Sequence, residues 1–276
     1  MTTPSARPRA GVARARRADA PPRAPLQGVA AEVRAVRAAL VAASTPARAA
    51  GAKAYLKSDL TFLGADTPTL RRVGNALAAR VKAEGDDSLR PLVDALWATR
   101  VHELRAVALV LLERRVGVLG RTDLPRIERM LRESRSWAYV DWISTKVLSP
   151  MLLRVDAVRR ALPRWARDDD FWIRRTALLT LMPLVVRGQV PFGAFEVLAI
   201  PMLGEREFFI RKAIGWVLRA VSKTSPAPVA SFLRTHRDDV SGLTMREGAK
   251  YLPARDRRAL LTAPAARRRR ASPRPA

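Results

Sequence analysis

Apolar residues recur at three- and four-residue spacing along nearly all of the chain between residues 26 and 263. This spacing places them on one face of an α-helix, and no stretch shows the sustained alternation of a half-buried strand. The predicted fold class is therefore all-α. The predicted helices lie near 28–43, 46–58, 68–83, 87–98, 101–116, 122–133, 136–149, 152–166, 171–186, 190–202, 206–223, 226–236 and 244–262.

The connections between these predicted helices are brief, and the helices are similar in length. Short links between such helices place neighbours antiparallel, and a long series of pairs favours a stacked array over a closed bundle. The pairs repeat every roughly 35 to 40 residues, a period typical of HEAT-like units. Residues 26–263 are therefore predicted to form stacked antiparallel helix pairs in a HEAT-like repeat solenoid.

The two ends of the chain have a different composition. Residues 1–25 are rich in Ala, Pro and Arg, and residues 264–276 include four consecutive arginines. Such segments cannot bury enough apolar surface to order the chain. We expect a disordered basic arm at 1–25 and a disordered Arg-rich tail at 264–276, both adding nonspecific affinity for phosphate.

The charge balance indicates a polyanionic partner. The chain has 51 Lys and Arg against 25 Asp and Glu, a formal net charge of +26. Nucleic acid and an anionic membrane surface both fit this charge. No apolar run approaches the ~20 residues that cross a bilayer, and the basic residues are spread over many segments rather than one amphipathic helix. A nucleic acid, bound on a basic concave face, is therefore favoured.

Several classes of chemistry are excluded by composition. The chain has no cysteine, which excludes disulfides, thiolate metal sites and cysteine nucleophiles. The two histidines, His102 and His236, are far apart and neither lies in a spaced metal-ligand motif. We expect both to be structural or exposed, and we expect no metal and no cofactor.

One short segment near the middle of the chain combines an aromatic ring with an acid. Trp137 and Asp141 are four residues apart, so on a helix they lie on one face, about 40° apart. The expected core stripe of Val140, Ile143 and Val147 lies further around the same helix. This helix can therefore pack through one side and present an indole beside a carboxylate on another.

Two later helices carry comparable positions. Arg175 lies at the margin of a predicted buried stripe, and Trp216 shares a face with Phe209 and Ala213. In a stacked array, equivalent positions of successive repeats line one surface. The residues predicted to converge are Trp137, Asp141, Arg175 and Trp216.

Ordered blocks between residues 54 and 252 resemble a known family, the DNA alkylation repair glycosylases built of HEAT-like repeats, of the AlkD type. The blocks that carry the resemblance are Tyr55-Leu56-Lys57, Ser136-Trp137, Val140-Asp141, Arg175-Thr176-Ala177, Glu207-Phe208-Phe209-Ile210 and Lys212-Ala213-Ile214-Gly215-Trp216. The resemblance implies hydrolysis of the N-glycosidic bond of cationic alkylated purines, such as 3-methyladenine and 7-methylguanine, in base excision repair. It also implies that the damaged base needs no base-flipping pocket.

The family's residue roles transfer onto matching positions. Its catalytic carboxylate matches Asp141, its aromatic pair matches Trp137 and Trp216, and its arginine for the DNA backbone matches Arg175. Further phosphate contacts are expected from Arg174, Lys212 and Arg211. The expected partner is double-stranded DNA containing alkylated bases, bound by a monomer that is cytoplasmic and associated with the bacterial nucleoid.

The chemistry of the residues agrees with these roles. A methylated cationic purine leaves without a strong general acid, so the remaining problem is a sugar that becomes an oxocarbenium ion. A fixed carboxylate stabilises that charge and can orient water, and indole faces attract electron-poor C–H groups. No lysine lies in the segment around Asp141, so strand cleavage through a Schiff base is not expected.

Two points stay open from the sequence. The chain departs from the family at Ala138-Tyr139, where acidic or aromatic residues are common, and this departure bears on substrate range. The alternative function is a noncatalytic HEAT-repeat module that binds unusual DNA structures or scaffolds partners. Release of bases from methylated DNA distinguishes the two.

Overall fold

The computed structural model describes residues 25–262. Of the two predicted arms, only residue 25 falls within this range, and the rest of both lies outside the described residues. Within residues 25–262 no strand occurs, and only an isolated bridge joins Thr61 to Val101. The all-α prediction is confirmed for this part of the chain. The α-helices are α1 (Val29–Val41), α2 (Pro46–Leu56), α3 (Thr67–Ala83), α4 (Leu89–Ala98), α5 (His102–Arg114), α6 (Leu124–Ser134), α7 (Trp137–Trp142), α8 (Ser149–Leu152), α9 (Asp156–Trp165), α10 (Phe171–Val186), α11 (Phe192–Ala199), α12 (Phe208–Ser222), α13 (Pro226–Thr235), α14 (Gly242–Gly248) and α15 (Ala254–Thr262).

The helices pack as two rows. In the first row, α3, α5, α7, α10, α12 and α14 each contact the next helix in that order. The second row consists of α4, α6, α9, α11 and α13, and each packs against a helix of the first row. The contacts are α4 with α5, α6 with α7, both α9 and α11 with α10, and α13 with α12. Because short connections join helices of alternate rows, neighbours run antiparallel, as predicted. The basic concave face stays a prediction.

One predicted helix is wrong: the span 244–262 is broken into two helices. A 3₁₀ turn, Ala249–Tyr251, follows α14, and Leu252 then adopts an extended conformation with ψ of 154°. Leu252 precedes Pro253, and a residue before proline is driven out of the α region by the proline ring. The chain therefore leaves α14 and starts again as α15.

The helix that carries Trp137 contains a wide turn. A π-helical segment, Ile143–Leu148, lies between α7 and α8 and makes one continuous rod of them. Pro150 has no N–H for the carbonyl four residues before it, and Thr145 Oγ1 donates to the Asp141 carbonyl at 2.6 Å. Both features favour a wider turn, and π segments are frequent at functional sites. The wide turn begins directly after Asp141 and Trp142.

The interior of this rod agrees with the sequence pattern. Val140, Ile143 and Val147 have no accessible surface, as predicted for the core stripe. Each such buried aliphatic side chain stabilises the fold by about 1.5–3 kcal/mol. The stripe therefore fixes the rotation of α7 and, with it, the direction in which Asp141 points.

Gly64 is a position where the backbone requires glycine. Its φ is +93°, and a Cβ there would lie 2.2 Å from the Thr45 carbonyl oxygen. We expect Gly64→Ala to lower the free energy of unfolding by about 3 kcal/mol, from backbone strain together with the clash. Urea unfolding measures the change.

Gly85 provides the matched control, because its φ is +86° and a Cβ added there would have nothing within 4 Å. Gly85→Ala should therefore cost only the strain of a left-handed backbone, about 1–2 kcal/mol. Equal losses in the two variants would show that the contact with Thr45 does not constrain Gly64.

Candidate active site

A bidentate ion pair joins Asp141 on α7 to Arg175 on α10. Arg175 Nε donates to Asp141 Oδ1 at 2.7 Å, and Arg175 Nη2 donates to Oδ2 at 2.8 Å. The remaining Nη1 donates to the Phe209 carbonyl of α12 at 2.7 Å. Arg175 is only 3% exposed, so it lies inside the first row rather than at the predicted margin. One guanidinium thus connects three successive helices and fixes the carboxylate.

The Asp141 carboxylate stays accessible while it is held. Its side chain keeps 15% of its exposure, against 4% for that of Arg175. Burial raises the pKa of Asp141, and the hydrogen bonds and charge of Arg175 oppose the rise. A carboxylate has about four acceptor positions, and Arg175 occupies two of them. The others remain able to accept from water or to face a cationic group.

Trp137 lies one turn before Asp141 and begins α7. Its side chain is half-buried against the core. The Tyr55 ring from α2 meets it edge-on, with ring centroids 5.7 Å apart and planes at 88°. Tyr55 is 73% exposed, so an accessible aromatic ring stands beside the indole. The sequence pattern placed Tyr55 in a matching block but assigned it no role.

Trp216 lies on α12, the helix whose Phe209 carbonyl accepts a hydrogen bond from Arg175. It is a half-buried residue of α12, packed against the core, and among residues 25–262 its ring makes no contact with another aromatic ring. Seven residues separate it from Phe209, which is about 10 Å along the helix axis. The structure thus pairs Asp141 with Arg175 and places Trp137 one turn before Asp141. The convergence of Trp216 with these residues stays a prediction.

Tyr139 faces away from this site. It is 2% exposed, and its hydroxyl lies 2.6 Å from His102 Nδ1. The Phe62 ring stacks on the His102 ring, with ring centroids 4.5 Å apart, and burial lowers the pKa of His102. Tyr139 is about 200° around α7 from Trp137. It therefore joins α7 to α5, and any effect on substrate range must act through the position of α7.

The other predicted DNA contacts have protein partners. Arg174 donates to both carboxylate oxygens of Glu205, at 3.0 and 2.9 Å. Lys212 Nζ lies 2.5 Å from Glu247, and Arg211 donates to the Arg206 carbonyl. Each cation would have to share or exchange its partner to contact a phosphate. Their roles in DNA binding stay predictions.

Close packing of α12 against α14 sets the position of Glu247. A Cβ on Gly215 would lie 2.7 Å from the Glu247 Cβ, so only glycine allows this approach. Glu247 then reaches Lys212 and also Arg219, at 2.6 Å. The glycine in the block that ends at Trp216 thus has a packing role.

A second cluster beside Asp141 was not predicted. Trp142 Nε1 donates to Glu113 Oε2 at 2.7 Å, and the Arg71 guanidinium lies 4.7 Å from the Trp142 ring centroid. Arg71 also pairs with Glu113 at 3.4 Å. The sequence shows Trp142 directly after Asp141. Its partners Glu113 and Arg71 are more than 28 residues away in the chain, so no local sequence pattern could predict these contacts.

The described residues contain no group of three or more His, Asp or Glu side chains placed to hold a metal ion. None of the helices between residues 25 and 262 is both long enough and apolar enough to cross a membrane.

Comparisons with known proteins show the family to which the chain belongs. No relative is found among curated proteins. A solved structure described as a predicted DNA alkylation repair enzyme from Enterococcus faecalis is 26% identical, with a TM-score of 0.65, covering 76% of this chain and 97% of that one. The Pseudomonas fluorescens alkylpurine DNA glycosylase AlkC, bound to DNA containing an abasic site analog, is 17% identical with a TM-score of 0.44, covering 80% of this chain and 60% of that one. The sequence profile of the DNA alkylation repair enzymes matches residues 36–252, and the chain belongs to that family.

Proposed function

We propose that this chain is a DNA glycosylase that hydrolyses the N-glycosidic bond of cationic alkylated purines, such as 3-methyladenine and 7-methylguanine, in duplex DNA. The observation that carries the proposal is the Asp141 carboxylate, held in a bidentate pair with Arg175 yet still 15% exposed in its side chain. Membership of the DNA alkylation repair enzymes supports it. A module that only binds DNA has no need of a fixed, accessible anion among its cations.

The reaction needs charge stabilisation more than proton transfer. As the C1′–N bond breaks, its electron pair moves into the purine ring and neutralises the positive charge there. The deoxyribose becomes an oxocarbenium ion, and the Asp141 carboxylate stabilises it. A water molecule is oriented by the acceptor positions of the Asp141 carboxylate that Arg175 leaves unoccupied. This water bonds to C1′ and loses a proton to solvent.

The two tryptophans have supporting roles in this proposal. Trp137, one turn from Asp141, presents its indole to sugar C–H groups that become electron-poor in the transition state. Trp216 would form the opposite side of the site, two turns along α12 from the Phe209 carbonyl. Because Asp141 is carried on the edge of a helix, we propose that the base is released without entering an enclosed pocket.

The product is an abasic site in an intact strand, and the protein acts as a monomer. The segment from residue 136 to residue 141 contains no lysine, so we expect no Schiff base and no strand cleavage from it. Arg174, Lys212 and Arg211 contact phosphates once they exchange their present partners.

A base-release assay tests the proposed function. The full chain is incubated with duplex DNA treated with a methylating agent, and free bases are separated by chromatography. We expect release of 3-methyladenine and 7-methylguanine with the strands intact until alkali is added. DNA binding without any released base would favour the alternative, a noncatalytic helical-repeat module.

Binding to undamaged duplex DNA should depend steeply on salt. The net charge of +26 predicts several phosphate contacts, and each contact releases counterions. With four or more contacts, affinity should fall by about 100-fold or more between roughly 50 and 200 mM salt. Fluorescence anisotropy with a labelled duplex measures this, and a change of less than about threefold would contradict a basic binding face.

A further inference from the structure

A cavity of about 640 Å³ opens where the ends of α4 and α6 meet the start of α5. Five arginines and three carboxylates contribute to its lining, so the cavity carries an excess of positive charge. It is separate from the Asp141 site. None of Trp137, Asp141 and Arg175 lines it, and its lining residue Trp97 packs on Tyr139 with ring centroids 5.5 Å apart.

Arg105 is the central group of this cavity. It is only 5% exposed, its Nε donates to the Trp97 carbonyl at 2.9 Å, and its guanidinium lies 4.6 Å from the Trp97 ring centroid. Its two terminal nitrogens have no hydrogen bond and no ion pair within residues 25–262, although the residue lines the cavity. Burial lowers the pKa of Arg105. The charges of Glu133 and Asp59 attract Arg105 without a direct ion pair, and a directly bound anion would add hydrogen bonds to its two terminal nitrogens.

The carboxylates of the cavity are already engaged. Asp59 pairs with Arg100 at 2.7 Å, and Asp94 pairs with Arg129 at 2.7 Å. Glu133 accepts from the Trp97 indole N–H at 2.7 Å. Each of the three thus has a nearer partner than Arg105, and Glu133 and Asp59 act on Arg105 only through Coulomb attraction.

A second cation lies at the rim, and its charge helps to lower the pKa of Asp59 without a direct ion pair. Arg135, the residue after α6, is exposed, lines the same cavity and makes no ion pair with any described residue. Arg105 from the floor and Arg135 from the rim thus offer two guanidinium groups to one space. A guanidinium binds a phosphoryl group through two parallel hydrogen bonds, which suits the free edge of Arg105.

We propose that this cavity is a phosphate-binding site, in which Arg105 holds a phosphoryl group through its two terminal nitrogens and Arg135 closes over it. The phosphoryl group is a diester of the DNA backbone or a free phosphate, because both present the same oxygens. The site is independent of the proposed glycosylase reaction. It gives the two terminal nitrogens of Arg105 the hydrogen-bond acceptors that the described residues do not supply.

The first arm of the test uses inorganic phosphate. The full chain is titrated calorimetrically at constant ionic strength, with chloride replaced by phosphate. We expect Arg135→Gln to weaken phosphate binding by about tenfold. Arg105→Lys keeps the charge but loses the bidentate pair of N–H donors, and it should weaken binding by at least as much. The control is Arg187→Gln, an exposed arginine after α10 that is outside the cavity and loses the same charge.

The second arm uses undamaged duplex DNA over a range of salt concentrations. If the phosphoryl group belongs to DNA, Arg135→Gln lowers affinity and reduces the slope of log K against log salt by about one contact, relative to Arg187→Gln. If it is free phosphate, Arg135→Gln matches the control on DNA and fails only on inorganic phosphate. Equality of Arg135→Gln and Arg187→Gln in both arms would overturn the proposal, even if Arg105→Lys does not fold.

Discussion

Asp141→Asn is expected to reduce release of methylated purines by at least about 100-fold while leaving affinity for duplex DNA within about threefold. The amide has nearly the same shape as the carboxylate but carries no charge, so it cannot stabilise a cationic deoxyribose. Phosphate contacts are made by other residues and are unaffected. Single-turnover release from methylated duplex, together with anisotropy on undamaged duplex, measures both quantities.

This substitution also disturbs a buried cation. Arg175 is 3% exposed and would lose its carboxylate, and removing one member of a buried pair costs about 3–5 kcal/mol. Assays should therefore be run well below the melting temperature of the variant. Asp156→Asn is the matched control, since Asp156 makes an exposed pair with Arg159 on α9 at 3.1 Å. If Asp141→Asn retained the activity of Asp156→Asn, the proposed role of the carboxylate would be wrong.

Arg175→Gln should move the pH dependence of the reaction as well as slow it. Asp141 must be ionised to act, so activity is lost as pH falls through the pKa of Asp141. Burial raises that pKa, and Arg175 is what opposes the rise. Without the guanidinium only the effect of burial remains, so the acid limb of the rate should shift to higher pH. We also expect the maximal rate to fall by about 100-fold, because the carboxylate is no longer held.

The neighbouring arginine controls for this result. Arg174 is paired with Glu205 and its side chain is 18% exposed, but it does not contact Asp141. Arg174→Gln, assayed at saturating DNA, should leave the acid limb where it is in the unaltered protein. Arg175→Lys keeps a positive charge and should shift the limb by less than Arg175→Gln. An unchanged limb in Arg175→Gln would show that Asp141 does not titrate in the reaction.

The helices and their inward faces could be predicted because periodicity is local information. The stripe of Val140, Ile143 and Val147 follows from three- and four-residue spacing, and the same spacing places Trp137 beside Asp141. The break before Pro253 was missed because the apolar spacing of 244–262 continues across the proline. Here the steric restriction that Pro253 places on Leu252 ended the helix, although the apolar spacing favoured its continuation.

The sequence predicted that Asp141 and Arg175 converge, but it could not predict that they form an ion pair with each other. Arg175 is 34 residues away, and a basic residue near an apolar stripe looks the same whether it faces phosphate or carboxylate. The resemblance assigned Arg175 to the DNA backbone, whereas in the structure its guanidinium donates to Asp141 and to the Phe209 carbonyl. Tyr139 shows the same limit, because only the fold reveals that its hydroxyl meets His102.

The central claim is that Asp141 recognises positive charge on the sugar, and affinity for a charged sugar analogue tests it most directly. Two duplexes are compared, one with a pyrrolidine abasic analogue that is protonated at neutral pH and one with the neutral tetrahydrofuran analogue. Because a catalytic site binds features of the transition state most tightly, the unaltered protein should prefer the cationic duplex by about tenfold or more. Asp141→Asn should bind the two duplexes equally. An undiminished preference in Asp141→Asn would contradict the account.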